Sequence, residues 1–159
     1  RAARFDYSRP YYYLTPQIFF LCSRFPHGPP ARTIAEMKLL RGCGIHGYAY
    51  SHYGLDSKAL DLKAQTHEQL IEKHKAGHCD FFLEELEILQ GFTLTGKNYL
   101  ADKQIAAAAV PEAARPQLHL LLSRRSRPLQ TLRPALNKAI EKYTADGRMI
   151  RSVTRLLKN

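Results

Sequence analysis

Seven histidines, three cysteines and a short run of acids are the side chains with chemistry to offer. His74 and His78 lie four apart near a helix end, with Cys79 adjacent, and these are zinc-ligating types. Zinc needs three or four converging ligands. Gly77 interrupts the helix between the two histidines, so surface or capping roles are the expectation. His46 and His52 flank a turn at Gly47 and have no acid close to them in sequence. Ser51 and His52 are neighbours, and neighbours on a helix point apart, so they do not make a nucleophile with its base. Glu84, Glu85 and Glu87 match a glycosidase acid pair only in composition. There is no G-x-S-x-G elbow, no H-E-x-x-H pair and no glycine-rich phosphate loop. No catalytic residue, metal or cofactor is expected. Cys22, Cys43 and Cys79 form no C-x-x-C pair and sit in apolar, strand-like segments. Free thiols there behave as small hydrophobes, so three buried free cysteines are expected, although one disulfide is permitted.

The elements that must position these groups alternate strand with helix, which argues for an α/β fold with largely parallel strands. Gln17–Cys22, Cys43–His46, Leu60–Ala64, Cys79–Leu83, Lys103–Ala109 and Leu118–Leu122 are the expected strands. Thr33 and Thr66 each open a capping box, with helices ending at Gly42 and Gly77. Glu84–Gln90 is expected as a short helix closed by Gly91. In the tail, Leu132, Leu136, Ala139, Ile140 and Tyr143 repeat at helical spacing as one apolar stripe. Pro134 is tolerable only in a first turn, and Asp146-Gly147 supplies a stop. Met149, Ile150, Val153, Leu156 and Leu157 then mark a second amphipathic helix.

The chain has 159 residues, 45% of them hydrophobic, with a net charge of +10 and a pI near 9.7. That is enough chain for one ordinary domain or two small lobes. No apolar run approaches the roughly 18 residues needed to span a bilayer. The basic excess invites a nucleic-acid reading. Ten of the cations, from Arg124 to Lys158, lie on otherwise amphipathic helices, where a solvated face is the simpler account. Arg1 opens directly into polar and aromatic sequence, so a mature or trimmed chain with its signal peptide removed is expected.

Four stretches, in order, resemble the family-3 extracellular solute-binding proteins, the periplasmic binding proteins of amino-acid ABC transporters. Arg1 to Tyr12, with Phe5-Asp6-Tyr7-Ser8-Arg9-Pro10-Tyr11, is similar to the segment where that family leaves lobe one for the hinge. Gly42-Cys43-Gly44-Ile45-His46-Gly47 resembles the lobe-two strand and ligand turn. Ala76-Gly77-His78-Cys79-Asp80 with Phe81–Glu85 looks like the strand that ends in an acid. Leu132 to Ile140, through Ala145-Asp146-Gly147, looks like the C-terminal lobe-one helix and its stop. No single motif is specific; their order and spacing carry the resemblance.

The resemblance implies an α/β, type II periplasmic-binding-protein-like fold: one complete lobe plus the C-terminal part of the other. Residues 14–104 would be lobe two, and 1–13 with 105–159 the remnant of lobe one. It implies binding of a small polar solute, such as an amino acid, for an ABC importer in the periplasm. The membrane permease would be a partner, with a homodimer by strand exchange as a further one and no nucleic acid. The implied ligand-binding residues are Arg1, Ile45, Gly47, Tyr48, Ala49, Tyr50 and Glu85. Arg1 matches the guanidinium that clamps the ligand carboxylate. The turn after Ile45 offers backbone N–H groups to an anion. Glu85 matches the acid for the ligand ammonium, unless it serves only as a helix N-terminal acid. Ala49 stands where the family carries a hydroxyl, which removes one donor. Alternative readings are a sensor lobe for a signalling partner, a basic nucleic-acid-binding protein, and a cyclohexadienyl-dehydratase-like enzyme using Glu84 or His46.

Overall fold

The computed structural model describes residues 4–158. In chain order they form β1 (Phe5–Tyr7), β2 (Tyr12–Tyr13), β3 (Pro16–Leu21), α1 (Ile34–Met37), β4 (Gly42–Ile45), β5 (Leu60–Ala64) and α2 (His67–Lys75). There follow β6 (Phe81–Glu85), α3 (Leu86–Gly91), β7 (Ile105–Ala109), β8 (Gln117–Leu118), β9 (Leu121–Ser123), α4 (Arg127–Ala145) and α5 (Arg148–Lys158). They fall into two compact units, one of residues 15–116 and one of residues 1–14 with 117–159. The stretch 105–116, assigned to lobe one from sequence, thus lies within the larger unit.

The larger unit is built on a five-stranded sheet in the order β5-β4-β6-β3-β7. β4 runs parallel to β5 and β6, whereas β3 runs antiparallel to both β6 and β7. The sheet is therefore mixed rather than largely parallel. Strand–helix alternation predicts parallel strands only where a helical crossover joins them, as α2 does between β5 and β6, which lie on either side of β4. Side-chain alternation gives this sheet a core on each face. Ile18, Phe81 and Leu83 join Tyr50, Tyr53 and Met37 on one side. Phe19 and Phe82 join Cys43, Leu70 and Leu89 on the other. Phe19 and Phe82 oppose each other across β3 and β6, and their rings stack with centroids 4.8 Å apart.

Both threonines cap their helices, and the reciprocal Glu36 and Gln69 side chains accept from the N–H before each cap, Arg32 and Gln65. Thr33 Oγ1 accepts from Glu36 N–H at 3.1 Å, and Thr66 Oγ1 from Gln69 N–H at 3.2 Å. α1 nevertheless lasts only 4 residues, ending well before Gly42. Glu84 and Glu85, expected in a helix, complete β6 instead, and the helix begins one residue later. Pairing with Gln17 and Pro16 of β3 holds both acids in the extended strand, overriding the helix preference of a Glu-rich run.

At the opposite end of β6, Cys43 and Cys79 form a disulfide across a sequence separation of 36. Cys22 is a free, exposed thiol that approaches the Lys103 carbonyl. The expectation of three buried free thiols is corrected on both counts. β4 and the approach to β6 bring two cysteines to a Cα–Cα distance of 5.8 Å, a juxtaposition that sequence spacing does not reveal. Asp80, beside Cys79, accepts from Arg41 N–H at 2.9 Å and pairs with the Arg24 guanidinium at 2.6 Å. Burial pushes its carboxyl up, but the bonds from Arg41 and the charge of Arg24 outweigh this and hold it low.

In the smaller unit, β1 pairs antiparallel with β9 and β2 with β8. Leu122 of β9 and Ile140 of α4 are its buried apolar anchors. α4 is 19 residues long and carries Pro134 in its interior, not in its first turn. The ring leaves the Gln130 carbonyl without its usual i+4 donor, and Pro134 itself is exposed. The predicted apolar stripe is only partly covered, with Leu132 57% exposed.

Reducing the disulfide, or the Cys43→Ala/Cys79→Ala pair, is expected to lower stability by about 3–4 kcal/mol, the loop-closure value for this separation. Thermal unfolding with and without reductant measures it; an unchanged midpoint contradicts a structural role for the bridge.

Candidate functional site

Three parallel strands, β5, β4 and β6, end on one edge of the larger unit's sheet. Carboxyl-terminal strand edges are where open α/β sheets present ligands to polar groups. The residues that gather there come from β6, from the loop after β4 and from the start of α2.

Register shifts in the β4–β5 ladder between Cys43 and Ile45. The Ile45 N–H donates instead to the Tyr50 hydroxyl, 2.7 Å away. Gly44 makes the room, since a Cβ there would lie 2.5 Å from the Tyr50 hydroxyl. Tyr50 therefore packs into the core, and burial pushes its hydroxyl up to about 12. Between these residues the chain turns at Gly47, whose φ of +80° suits glycine. The N–H groups of Gly47, Ala49 and Tyr50 have no hydrogen-bond acceptor among the described residues.

Alternation along β6 directs its last two side chains to different partners. Glu84 Oε2 lies 2.6 Å from His67 Nε2 at the N-terminus of α2. Glu85 Oε1 lies 2.7 Å from His52 Nε2, and Glu85 also accepts from the Tyr53 hydroxyl. The Tyr48 ring meets His67 edge-on at 5.9 Å, and the His52 ring lies 4.0 Å from that of Tyr53. Two buried carboxyls side by side do not both ionise freely. Burial is the main reason that Glu84 is pushed up. Burial also pushes Glu85 up, but hydrogen bonds from Glu84, Tyr53 and His52 outweigh it and leave Glu85 lowered. The site thus holds two neighbouring acids pushed in opposite directions, Glu84 up and Glu85 down. Tyr53, buried beneath them, is pushed up by its own desolvation and then by both acids.

Among the expected ligand-binding residues, Ile45, Gly47, Tyr48, Ala49 and Tyr50 form the turn, and Glu85 stands within the same polar cluster. Tyr50 has only its backbone N–H to offer, because its side chain is in the core. Arg1 lies outside the described residues. Glu85 is the N-cap residue of α3, but its side chain makes no capping bond. Its bonds to His52 and Tyr53 separate it from the plain helix-dipole account. Sequence reasoning gave His52 no acidic partner; the fold supplies Glu85 from 33 residues away. His67 was hidden as the first residue after a capping threonine, and no local signal marks its imidazole as buried against an acid. The larger unit also has cavities of about 590 and 420 Å³ elsewhere, beside α2. Their charged linings are largely paired, as Lys73 is with Asp61 and Lys75 with Asp102. His74, buried beside the disulfide, is pushed down to about 4 by desolvation and stays neutral.

No family model and no curated protein matches the sequence. Solved structures do match. An amino acid ABC transporter substrate-binding protein, AbpA from Streptococcus pneumoniae, bound to L-arginine, is 18% identical with a TM-score of 0.69, over 99% of this chain and 63% of that one. The arginine-, lysine-, histidine-binding protein ArtJ from Geobacillus stearothermophilus is 13% identical with a TM-score of 0.61, over 100% and 65%. The GluR0 ligand-binding core from Nostoc punctiforme, in complex with L-glutamate, is 14% identical with a TM-score of 0.62, over 96% and 65%. The chain spans less than two thirds of the length of these structures. Likeness at such identities shows the fold alone, and that fold is the α/β type II periplasmic-binding kind expected from the sequence.

Glu84 gives a signed test. Its folded-state pKa lies above its unfolded value, so the native chain holds a proton that the unfolded chain releases. Its contribution to stability therefore falls as pH rises above the ordinary carboxylate range. Glu84→Gln, always neutral, escapes that loss, and its stability relative to the parent should rise between about pH 4 and pH 7. Urea unfolding at both pH values checks this; a difference that is constant or moves the other way contradicts it.

Proposed function

From a chain with the fold of the amino-acid ABC transporter substrate-binding proteins, we propose that it captures a small polar solute, an amino acid or a related compound, and delivers it to the permease of an ABC importer. The observation that carries this reading is the pairing of an ionised Glu85 with the unpartnered N–H groups of the Gly47 turn at one strand edge. An amino acid has a cationic and an anionic end a short distance apart, and these two features complement them. Glu85 accepts from the ligand ammonium, which joins His52 and Tyr53 as a donor to a carboxylate with about four acceptor positions. Gly47, Ala49 and Tyr50 serve the carboxylate through their backbones, and Tyr48 with Ile45 shapes the turn. Arg1 is the proposed second clamp on the carboxylate. The larger unit corresponds to lobe two in this reading, and the activity is capture without turnover.

The amino-acid class draws support from the structural neighbours, which hold L-arginine and L-glutamate. An extracytoplasmic, periplasmic location draws support from the Cys43–Cys79 disulfide, since such bonds persist in oxidising compartments.

A thermal-shift screen against amino acids, polyamines and small organic acids identifies the solute. A ligand at about 100 times its Kd should add about 2.7 kcal/mol of stability. With that solute, Glu85→Ala should weaken binding by about 2–5 kcal/mol in calorimetry. An unchanged affinity would sink the role given to Glu85.

A further inference from the structure

The charge of the chain is divided unevenly between the two units. Residues 15–116 carry 11 basic and 11 acidic side chains, whereas residues 1–14 with 117–159 carry 13 basic and 3 acidic. The whole net charge of +10 therefore belongs to the smaller unit. α5 shows how this charge is arranged. It contains no acidic residue, and Arg148, Arg151 and Arg155 recur at helical spacing along one side. Met149, Ile150, Val153 and Leu156 occupy the other. Ile150 is 52% and Leu156 56% exposed, so the apolar side is only partly packed against the unit itself. Arg148 is spent locally, bridging Asp146 at 2.6 Å and lying over the Tyr143 ring at 4.0 Å. Arg151 and Arg155 remain exposed.

We propose that α5 docks the smaller unit on the surface of an anionic lipid bilayer, Arg151 and Arg155 meeting lipid phosphates and Ile150 and Leu156 entering the headgroup layer. A short helix whose charges are all basic, beside an exposed apolar side, is the pattern of an interfacial helix. Charge complementarity selects the occupant, because the cytosolic or periplasmic face of an anionic membrane is a continuous negative surface. A nucleic acid would engage the arginines and leave Ile150 and Leu156 without a partner. Among the described residues no helix is long and apolar enough to cross a membrane, and the contact proposed for α5 is with the bilayer surface. This inference is independent of solute capture.

The test is flotation of the full chain with unilamellar vesicles of phosphatidylcholine alone or mixed equally with phosphatidylglycerol. Binding is expected on the anionic vesicles only, and it should fall steeply between about 50 and 500 mM salt. Arg151→Gln with Arg155→Gln should weaken it roughly 30-fold. Ile150→Ser with Leu156→Ser should weaken it at least tenfold while leaving the salt dependence in place. All four side chains are exposed or half-exposed, and circular dichroism checks that the variants stay folded. Equal binding to both vesicle types, no binding, or arginine and apolar variants that bind like the parent would each overturn the proposal. So would a labelled duplex that displaces the protein from vesicles at low salt and is unaffected by the apolar variants. A concentration-dependent dimer abolished by Ile150→Ser/Leu156→Ser, without vesicle binding, would assign the face to a second copy instead.

Discussion

The hydrogen bond between Glu84 and His67 fixes the end of β6 to the N-terminus of α2, and the polar edge of the larger unit is arranged around it. A carboxyl at 1% exposure is held there only if it has a partner or a proton, and this one has both an imidazole beside it and a raised pKa. Its other oxygen accepts the Glu85 N–H at 3.0 Å, which helps to set the backbone where strand gives way to helix. The same burial favours the protonated form of Glu84, while the bonds from Glu84, Tyr53 and His52 favour the ionised form of Glu85. Neighbouring carboxyls of this kind titrate as a pair rather than one by one. The acid pair is thus a consequence of packing at the end of a central strand, and its chemistry follows from burial.

The other end of β6 is secured differently. There the Cys43–Cys79 bridge and the Arg24–Asp80–Arg41 cluster join the loop after β3, the start of β4 and the start of β6. A covalent tie and a charge cluster hold one edge of the sheet, leaving the opposite edge to hydrogen bonds between titratable groups and to a turn with unspent N–H donors. Rigid support beneath a polar edge is what a binding site requires, since each immobilised group there loses less entropy when ligand arrives.

Much of this was legible because local rules decided it. Leu60–Ala64 alternates as a half-buried strand and is one, and the threonines at 33 and 66 cap helices where their side chains can reach the third following N–H. The turn at Gly47 and the acid at the end of β6 were legible through family resemblance rather than through local pattern. What sequence did not reveal is long-range. The antiparallel course of β3 depends on pairing with residues about as far away as Ala109. The disulfide, the His52–Glu85 bond and the burial of His67 all join side chains separated by 17 to 36 positions. Helix boundaries failed where tertiary contacts opposed propensity: Glu84 and Glu85 were drawn into a strand, and α4 ran through Pro134.

The central claim is that the Gly47 turn and Glu85 hold the two ends of one small ligand. Amide chemical shifts of the isotope-labelled chain, followed while each common amino acid and small organic acid is added in turn, test it most directly. The account predicts one chemical class that moves the signals of Gly47, Ala49, Tyr50 and Glu85 together, with a single saturating curve, while β1 and β9 stay still. Shifts confined to the charged cavity beside α2 and β5, or no shift with any compound, would contradict it.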